Sequence, residues 1–328
     1  MEHKFKNTPA GKIPVDWECR VLMDIADISD RGRHNIFYPY LLRSKYKELE
    51  RLGAGSAFQE IPKSALRILS VPVPPLAEQK KIAEIMTSVD DAIEKMNAVI
   101  EKTKELVRNQ IQLLIYGGLD QKNLQNTIIG QIPETWQVVT LEQVASVERG
   151  KFQHRPRNEP GFYGGKYPFV QTGEVANSGG HIYRYSQTLN EDGLAISRLF
   201  PKGTILITIA ENIGETAIAD MDVAFPDSLI GIITNDNMDN RFLEYYLRTR
   251  KLNLASLAIE SASKNINLET LRAYPVPLPP KQEQITIADL LENIEKGSIN
   301  QKQSMQKLNE LQSALMGKLL TGQLRVRV

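Results

Sequence analysis

Two stretches of the chain place apolar residues alternately three and four positions apart. In the first, the stripe runs Ile82, Met86, Val89, Ile93, Met96, Ile100, Thr103, Val107, Gln110 and Leu114. In the second it runs Ile287, Leu291, Ile294, Ser298, Gln301, Met305, Leu308, Gln312, Leu315 and Leu319. A 3.5-residue period held over about five heptads predicts two helices with coiled-coil seams rather than faces laid on a globular core. A helix of about 40 residues is about 60 Å long, and a seam of that length needs a partner. The economical arrangement packs the two helices on each other, antiparallel, within one chain; pairing with a second chain is the alternative. Each helix is preceded by a Pro-Pro pair, Pro74-Pro75 and Pro279-Pro280, which fixes the backbone and excludes helix just upstream. Each stops near a glycine, Gly117-Gly118 and Gly322.

The two stretches are copies. At an offset of 205 residues, 26 of the 85 positions from Asn35 to Leu119 are identical, without a gap. Among them are Phe37/Phe242, Leu42/Leu247, Arg43/Arg248, Glu78/Glu283, Gln79/Gln284 and Gly117/Gly322. A second motif is also repeated: Gly11-Lys12-Ile13-Pro14-Val15-Asp16-Trp17 recurs as Gly130-Gln131-Ile132-Pro133-Glu134-Thr135-Trp136, but at an offset of 119. The second copy therefore holds 86 residues, roughly 150–239, that the first lacks. Repeats of this kind decide the architecture. The extra segment is predicted to be β-rich: 167–175, 202–210, 216–225 and 228–234 read as strand-forming runs bounded by Gly and Pro, with a turn at 177–180. Asp239 then reads as the N-cap of a helix over 241–258. The fold class expected is α+β: a truncated first unit (1–70), a long helix (71–120), an intact second unit (121–275) and a second long helix (276–328). Trp17 and Trp136 are expected to be equivalent core anchors.

Composition narrows the function. The 328 residues are 41% hydrophobic and 24% charged, with a formal net charge of +1, ordinary for a globular chain of about two domains. The lone Cys19 gives no disulfide framework. The first residues, MEHKFKNTPAGK, lack the apolar core of a signal peptide, and no apolar run reaches a membrane span. A cytoplasmic location without membrane association is expected. No phosphate-binding GxxxxGK[ST] loop occurs. No Asn-Pro-Pro-Tyr motif of adenine methyltransferases occurs either, since the Pro-Pro pairs are followed by Leu76 and Lys281. His3, His34, His154 and His181 are too scattered for a metal site. A catalytic role and a bound cofactor are not expected.

Taken together, the PxPPxxEQxxI openings, the endings Leu114-Ile115-Tyr116-Gly117-Gly118-Leu119 and Leu319-Leu320-Thr321-Gly322-Gln323-Leu324, the GxIPxxW segments and Leu199-Phe200-Pro201-Lys202-Gly203-Thr204 resemble the DNA-specificity subunits of type I restriction–modification enzymes. The resemblance covers essentially the whole chain. It implies a non-catalytic subunit in which two target-recognition domains each read half of a bipartite double-stranded DNA site, held apart by two conserved helices forming an antiparallel coiled coil. It implies two methylation subunits as partners, which carry S-adenosylmethionine and methylate adenine. Restriction subunits are an optional further partner, adding ATP-driven translocation and cleavage. This chain departs from the pattern in the first domain, where the absent 86 residues point to a deletion that leaves a helical remnant. A truncated decoy that binds methylation subunits without supporting specific methylation is the alternative function.

The second recognition domain, 130–275, carries 14 Lys and Arg against 17 Asp and Glu, so DNA contact must depend on local patches. The best is Arg149 to Arg157, with Lys151, His154, Arg155 and Arg157 as candidate contacts, because arginine bonds guanine bidentately and lysine neutralises phosphate. Gln171 and Thr172 follow a strand and suit base reading. Tyr183 and Arg184 mix aromatic and basic character after a Gly-Gly turn. Lys264 and Asn265 lie in a polar loop before the second helix. Arg241, Arg248, Arg250 and Lys251 read as a solvated helix face, and Glu211, Glu215, Asp220 and Asp222 as surface carboxylates.

Overall fold

The computed structural model describes residues 4–22, 24–25, 36–53, 68–120, 122–152, 159–259 and 265–328. The chain forms two compact units: residues 1–104 with 297–328, and residues 105–296. Each contains one end of both long helices, so each is described separately.

In the first unit, β1 (Phe5–Thr8) and β2 (Gly11–Pro14) form a hairpin, and β3 (Glu18–Val21) pairs antiparallel with β4 (Ser70–Val73). Between β3 and β4 come α1 (Phe37–Ser44) and α2 (Tyr46–Gly53). The first long helix, α3 (Leu76–Gly117), follows β4. Its residues Ile82, Ala83 and Met86 share a core with Trp17, Phe37, Leu41, Leu49 and with Leu319 and Leu320, which end the last helix of the chain.

The second unit repeats this frame. β5 (Leu124–Thr127) and β6 (Gly130–Pro133) form the hairpin, and β7 (Gln137–Thr140) pairs with a strand near residue 276. A one-turn helix α4 (Leu141–Val144), closed by a Thr140/Gln143 capping box, leads into β8 (Ala145–Arg149). Then come β9 (Tyr163–Phe169), α5 (Thr172–Asn177), β10 (His181–Ile182), β11 (Gln187–Leu189), α6 (Glu191–Ala195), β12 (Leu199–Phe200), β13 (Ile205–Thr208), β14 (Thr216–Ala219), β15 (Val223–Ala224) and β16 (Leu229–Thr234). The helices α7 (Asn240–Thr249), α8 (Lys251–Ile259) and α9 (Leu268–Arg272), the strand β17 (Pro275–Leu278) and the second long helix α10 (Lys281–Leu320) complete the chain. The architecture is α+β.

A five-stranded sheet, β10-β14-β13-β16-β8, lies at the centre of the second unit; a four-stranded sheet, β11-β9-β15-β12, accompanies it. The period of two along a strand divides the central sheet's side chains between two cores. Ile205, Ile207, Ile218, Ile230 and Ile232 face a core shared with Phe242, Tyr246, Leu254, Ile287 and Leu291. Leu206, Ala217, Ala219 and Leu229 face a second core with Val170, Phe200 and Phe225. Both faces of β13 and β14 are thus buried, which is why these strands read as continuous apolar runs rather than alternating ones.

Three expectations change. The strand in 167–175 ends at Phe169, because a Gln171/Glu174 capping box starts α5 at Thr172. The helix expected over 241–258 is two helices, broken at Arg250; its N-cap is Asp239, whose side chain accepts from the Arg241 and Phe242 backbone. The break recurs at Lys45 between α1 and α2. In the first long helix Gln110 is exposed and Ile111 is buried. The seam there steps by four twice in succession, the signature of a local stutter. The other seam residues of both helices are buried or half-buried.

The repeated motifs are explained by one arrangement, present in each unit. The Trp17 indole N–H donates to Glu78 Oε2 at 2.9 Å, and the Trp136 indole N–H to Glu283 Oε2 at 3.0 Å. The neighbouring glutamine closes the proline turn: Gln79 Nε2 donates to the Pro74 carbonyl and Gln284 Nε2 to the Pro279 carbonyl, each at 2.8 Å. The end of the antiparallel helix lies against the same tryptophan through a glycine at positive φ, Gly322 (+72°) beside Trp17 and Gly118 (+66°) beside Trp136. A Cβ on Gly322 would come within 2.3 Å of the Pro14 ring, and one on Gly118 within 2.7 Å of the Glu283 carboxylate. Gly118 takes this part although Gly117 is the aligned residue; the first long helix has 42 residues and the second 40.

The 86-residue segment also changes how α7 is held. Glu244, 1% exposed, receives two bonds from Arg248, at 2.6 and 3.0 Å, and one from Thr216 of β14 at 3.0 Å. Arg248 also donates to Glu295 of α10 at 2.6 Å. Burial pushes the Glu244 carboxyl up and the Arg248 charge pulls it back. The aligned Arg43 has only a half-exposed pair with Asp90 at 3.5 Å.

Two predictions follow from these contacts. Trp17→Phe and Trp136→Phe each remove one N–H donor from a carboxylate that keeps others, Arg325 at the buried Glu78 and the Leu119 backbone at the half-buried Glu283, at a cost of about 0.5–1.5 kcal/mol, to be read by denaturant titration of the whole chain. Arg248→Ala strands a buried carboxylate and should cost about 3–5 kcal/mol, whereas Arg43→Ala should cost under about 1 kcal/mol. Equal losses in the same titration would show that burial of Glu244 is not what separates them.

Candidate nucleic-acid interface

The exposed residues with reading chemistry gather where the two sheets of the second unit are joined. β10 lies at the edge of the central sheet, pairing parallel with β14, and β11 lies at the edge of the four-stranded sheet, pairing with β9. Between them run Tyr183, Arg184, Tyr185 and Ser186, all exposed, with Tyr183 at 60% and Tyr185 at 44%. Two large aromatic rings left open to solvent in a three-residue stretch are not explained by packing.

This loop is tied at both ends. At its start, Gly179 and Gly180 have φ of +69° and +105°. The Gly180 carbonyl accepts from Ile218 N, and the Ile182 carbonyl from Asp220 N. A Cβ on Gly180 would lie 2.2 Å from the Arg248 guanidinium, so the loop begins directly on the buried ion cluster of α7. His181 Nδ1 lies 3.2 Å from Asp220. At its end, Glu174 Oε1 accepts from both the backbone N–H and the hydroxyl of Ser186, at 2.6 and 2.8 Å. Gln171 Nε2 donates to Gln187 Oε1 at 3.0 Å. The structure thus brings Gln171 together with the Tyr183–Tyr185 loop, through Glu174, whose other oxygen caps the Gln171 backbone N–H. Thr172 is buried, and its hydroxyl lies 3.4 Å from Glu211.

Lys151 is exposed at the end of β8; its N–H donates to the Phe225 carbonyl and its own carbonyl accepts from Ser197 Oγ. Arg149 Nε donates to the Asp227 carbonyl at 2.7 Å. Asn265 is half-buried just before α9. His154, Arg155, Arg157 and Lys264 lie outside the described residues.

The expected solvated face of α7 and α8 is corrected. Arg241 bonds Asp239 and Asp289, Arg248 bonds Glu244 and Glu295, Arg250 bonds the Tyr274 hydroxyl, and Lys251 bonds Glu215 at 2.5 Å. These cations are held by partners inside the unit. Asp239 and Glu244 are close in sequence, but Asp289, Glu295, Tyr274 and Glu215 are far away, and no local pattern reveals them.

One feature was not legible in the sequence. Glu211 and Asn212, exposed in the turn between β13 and β14, both have positive φ, +46° and +44°. Thr208, fully buried, fixes this turn: its hydroxyl donates to the Asn212 carbonyl at 2.7 Å and accepts from Glu215 N at 3.0 Å. Two consecutive non-glycine residues in this region cost on the order of 1 kcal/mol or more each, and such strain collects at functional sites. Through Thr172 the turn adjoins the start of α5.

Comparison with known proteins places this arrangement. Residues 24–105 and 133–312 match the family of the type I restriction modification DNA specificity domain. The chain is similar to the type I restriction enzyme MjaVIII specificity subunit of Methanocaldococcus jannaschii, 28% identical over 306 residues, covering 89% of this chain and 71% of that one. It is similar to the EcoDI specificity subunit of Escherichia coli, 23% identical over 328 residues, covering 88% and 70%. In fold it is similar to the HsdS subunit of Thermoanaerobacter tengcongensis, with a TM-score of 0.55, 20% identity and coverage of 88% and 70%. It also resembles the type I restriction–modification S subunit of M. genitalium, with a TM-score of 0.57, 19% identity and coverage of 87% and 72%. The family match spans far more than half of the chain, and the chain belongs to the type I restriction–modification DNA specificity family: it is a non-catalytic, sequence-specificity subunit of such a system.

Proposed function

We propose that the second unit reads one half of a bipartite duplex site, and that the first unit, lacking the 86 residues, reads few or no bases. The observation that carries this reading is the exposed Tyr183-Arg184-Tyr185 loop, fastened at both ends and lying beside the Gln171 amide. Arginine bonds guanine bidentately, the glutamine amide suits adenine, and tyrosine rings pack on sugar or base. Lys151 and Asn265 are further contacts, as are His154, Arg155, Arg157 and Lys264 on adjoining segments. A loop held by Glu174 and the Gly180 turn reaches DNA already ordered, so little conformational entropy is lost on binding.

The chain holds no cofactor of its own in this reading. Two methylation subunits dock on it, bind S-adenosylmethionine and methylate adenine, and restriction subunits complete the assembly where the system has them. No helix among the described residues is long and apolar enough to cross a membrane, which fits work on DNA in the cytoplasm.

Sequencing of methylated motifs in cells expressing the chain with its methylation subunits should return one sharply defined half-site beside a degenerate or absent one. Two sharply defined halves would overturn the assignment of the first unit. Arg184→Ala should relax the motif at one base pair, with discrimination there falling by about 1–3 kcal/mol, while Tm stays unchanged. A variant that methylates the unaltered motif at the unaltered rate would remove Arg184 from the interface.

A further inference from the structure

The two units differ in charge far more than the whole chain suggests. Residues 1–104 and 297–328 hold 22 Lys and Arg against 16 Asp and Glu, a net +6. Residues 105–296 hold 18 against 23, a net −5. Binding of duplex DNA draws most of its sequence-independent affinity from cations that neutralise phosphates. The second unit is poorly supplied for this. Several of its cations are already held by internal partners: Arg198 by Glu148, Arg241 by Asp289, Arg248 by Glu244, Arg250 by Tyr274, Lys251 by Glu215 and Arg272 by Glu269.

Among the described residues, the first unit places cations without an ion pair where the repeat has no cation. Lys47 and Arg51 are exposed, four residues apart on α2, and so share one helix face. At the aligned positions the second unit has Leu252 and Ser256. The two side chains border a groove of about 430 Å³ together with Ser44, Lys45, Glu48 and Thr321, in which Glu48 is taken by Lys45 at 2.9 Å. Lysine, arginine and hydroxyl side chains are the usual partners of phosphate oxygens. Tyr46, 63% exposed, stands beside Lys47 in sequence.

We propose that the first unit is a sequence-independent clamp on the DNA phosphate backbone, with Lys47 and Arg51 of α2 as its principal cations. The inference rests on the DNA-reading role proposed for the second unit. An acidic protein surface is the other partner such a face could take; DNA is favoured because the chain is a DNA specificity subunit and its second unit carries the wrong net charge for phosphate.

The test uses the chain assembled with its methylation subunits and measures affinity across a salt series, for a duplex carrying the methylated motif and for one lacking it. Lys47→Gln/Arg51→Gln should lower the slope of log affinity against log salt by about 1.8, the value for two lost phosphate contacts. It should weaken both duplexes by the same factor, leaving the methylated motif and the Tm unchanged. Lys47→Arg/Arg51→Lys should bind like the parent. An unchanged slope would overturn the clamp and assign the phosphate contacts to the partner subunits. Loss confined to the motif-bearing duplex would overturn it in favour of base reading, and loss of co-purifying methylation subunit in favour of a protein contact. If the parent assembly bound neither duplex, the DNA-reading role itself would fall, a result separate from any difference between parent and variant.

Discussion

Each unit depends on one hydrogen-bonded contact, the tryptophan indole N–H given to the carboxylate at the start of a long helix. Trp17 reaches Glu78 and Trp136 reaches Glu283. The same ring sits against the glycine that ends the antiparallel helix, Gly322 or Gly118. A single side chain therefore fixes three things at once: the hairpin that carries it, the first turn of one helix and the last turn of the other. An apolar seam alone fixes only a face, and seams of period 3.5 can slide by a heptad. A carboxylate that takes the indole N–H opposes such a slide, because a shifted register loses that bond. The first unit adds Arg325, which bonds both Glu78 and Asp16 and lies over the Trp17 ring.

The 86 extra residues of the second unit are accommodated around this frame. They enter between β8 and α7 and supply strands whose two faces feed two different cores. The junction with α7 is polar as well as apolar. Glu244, Arg248, Thr216 and Glu295 form a buried network that begins in the inserted sheet and ends on α10. The first unit has Arg43 and Asp90 at the aligned places, but proline at the place of Glu244. The network is thus the part of the repeat that depends on the sheet, while the tryptophan contact does not. The Tyr183–Tyr185 loop starts on that network, because Gly180 leaves no space for a side chain above Arg248.

The sequence made the repeat, the seams, the N-cap at Asp239 and the α+β class legible, because each depends on local chemistry or on fixed spacing. It marked Tyr183 and Arg184 through the Gly-Gly turn before them. It did not disclose the distant partners of Arg241, Arg248, Arg250 and Lys251, since Asp289, Glu295, Tyr274 and Glu215 lie between 24 and 48 residues away and on different elements. Nor did it disclose the break at Arg250, where apolar periodicity continues through a change of axis. The strain at Glu211 and Asn212 was invisible because it follows from how Thr208 closes the turn, not from residue type. The seam shift from Gln110 to Ile111 was hidden because a strict alternation of three and four passes over a local stutter, where Ile111 is buried in place of Gln110.

These features bear on how the first unit folds without the 86 residues that the second holds. In the first unit the core around Trp17, Phe37, Leu41, Ile82 and Leu319 is closed, among the described residues, without strands corresponding to β13, β14 and β16. The equivalents of the missing contacts are altered accordingly. Leu42 is 39% exposed where Leu247 is fully buried, and Arg43 is half-exposed where Arg248 is enclosed. α1 and α2 therefore face water with side chains that suit it, Lys47 and Arg51 among them. A surface not required to hold a sheet is free to carry charge, and positive charge is what the proposed phosphate contact would use. In the reading proposed for the two units the division of labour is physical: base discrimination needs a hydrogen-bonded platform such as the Tyr183–Tyr185 loop of the second unit, whereas phosphate attraction needs only exposed cations, such as Lys47 and Arg51 of the first.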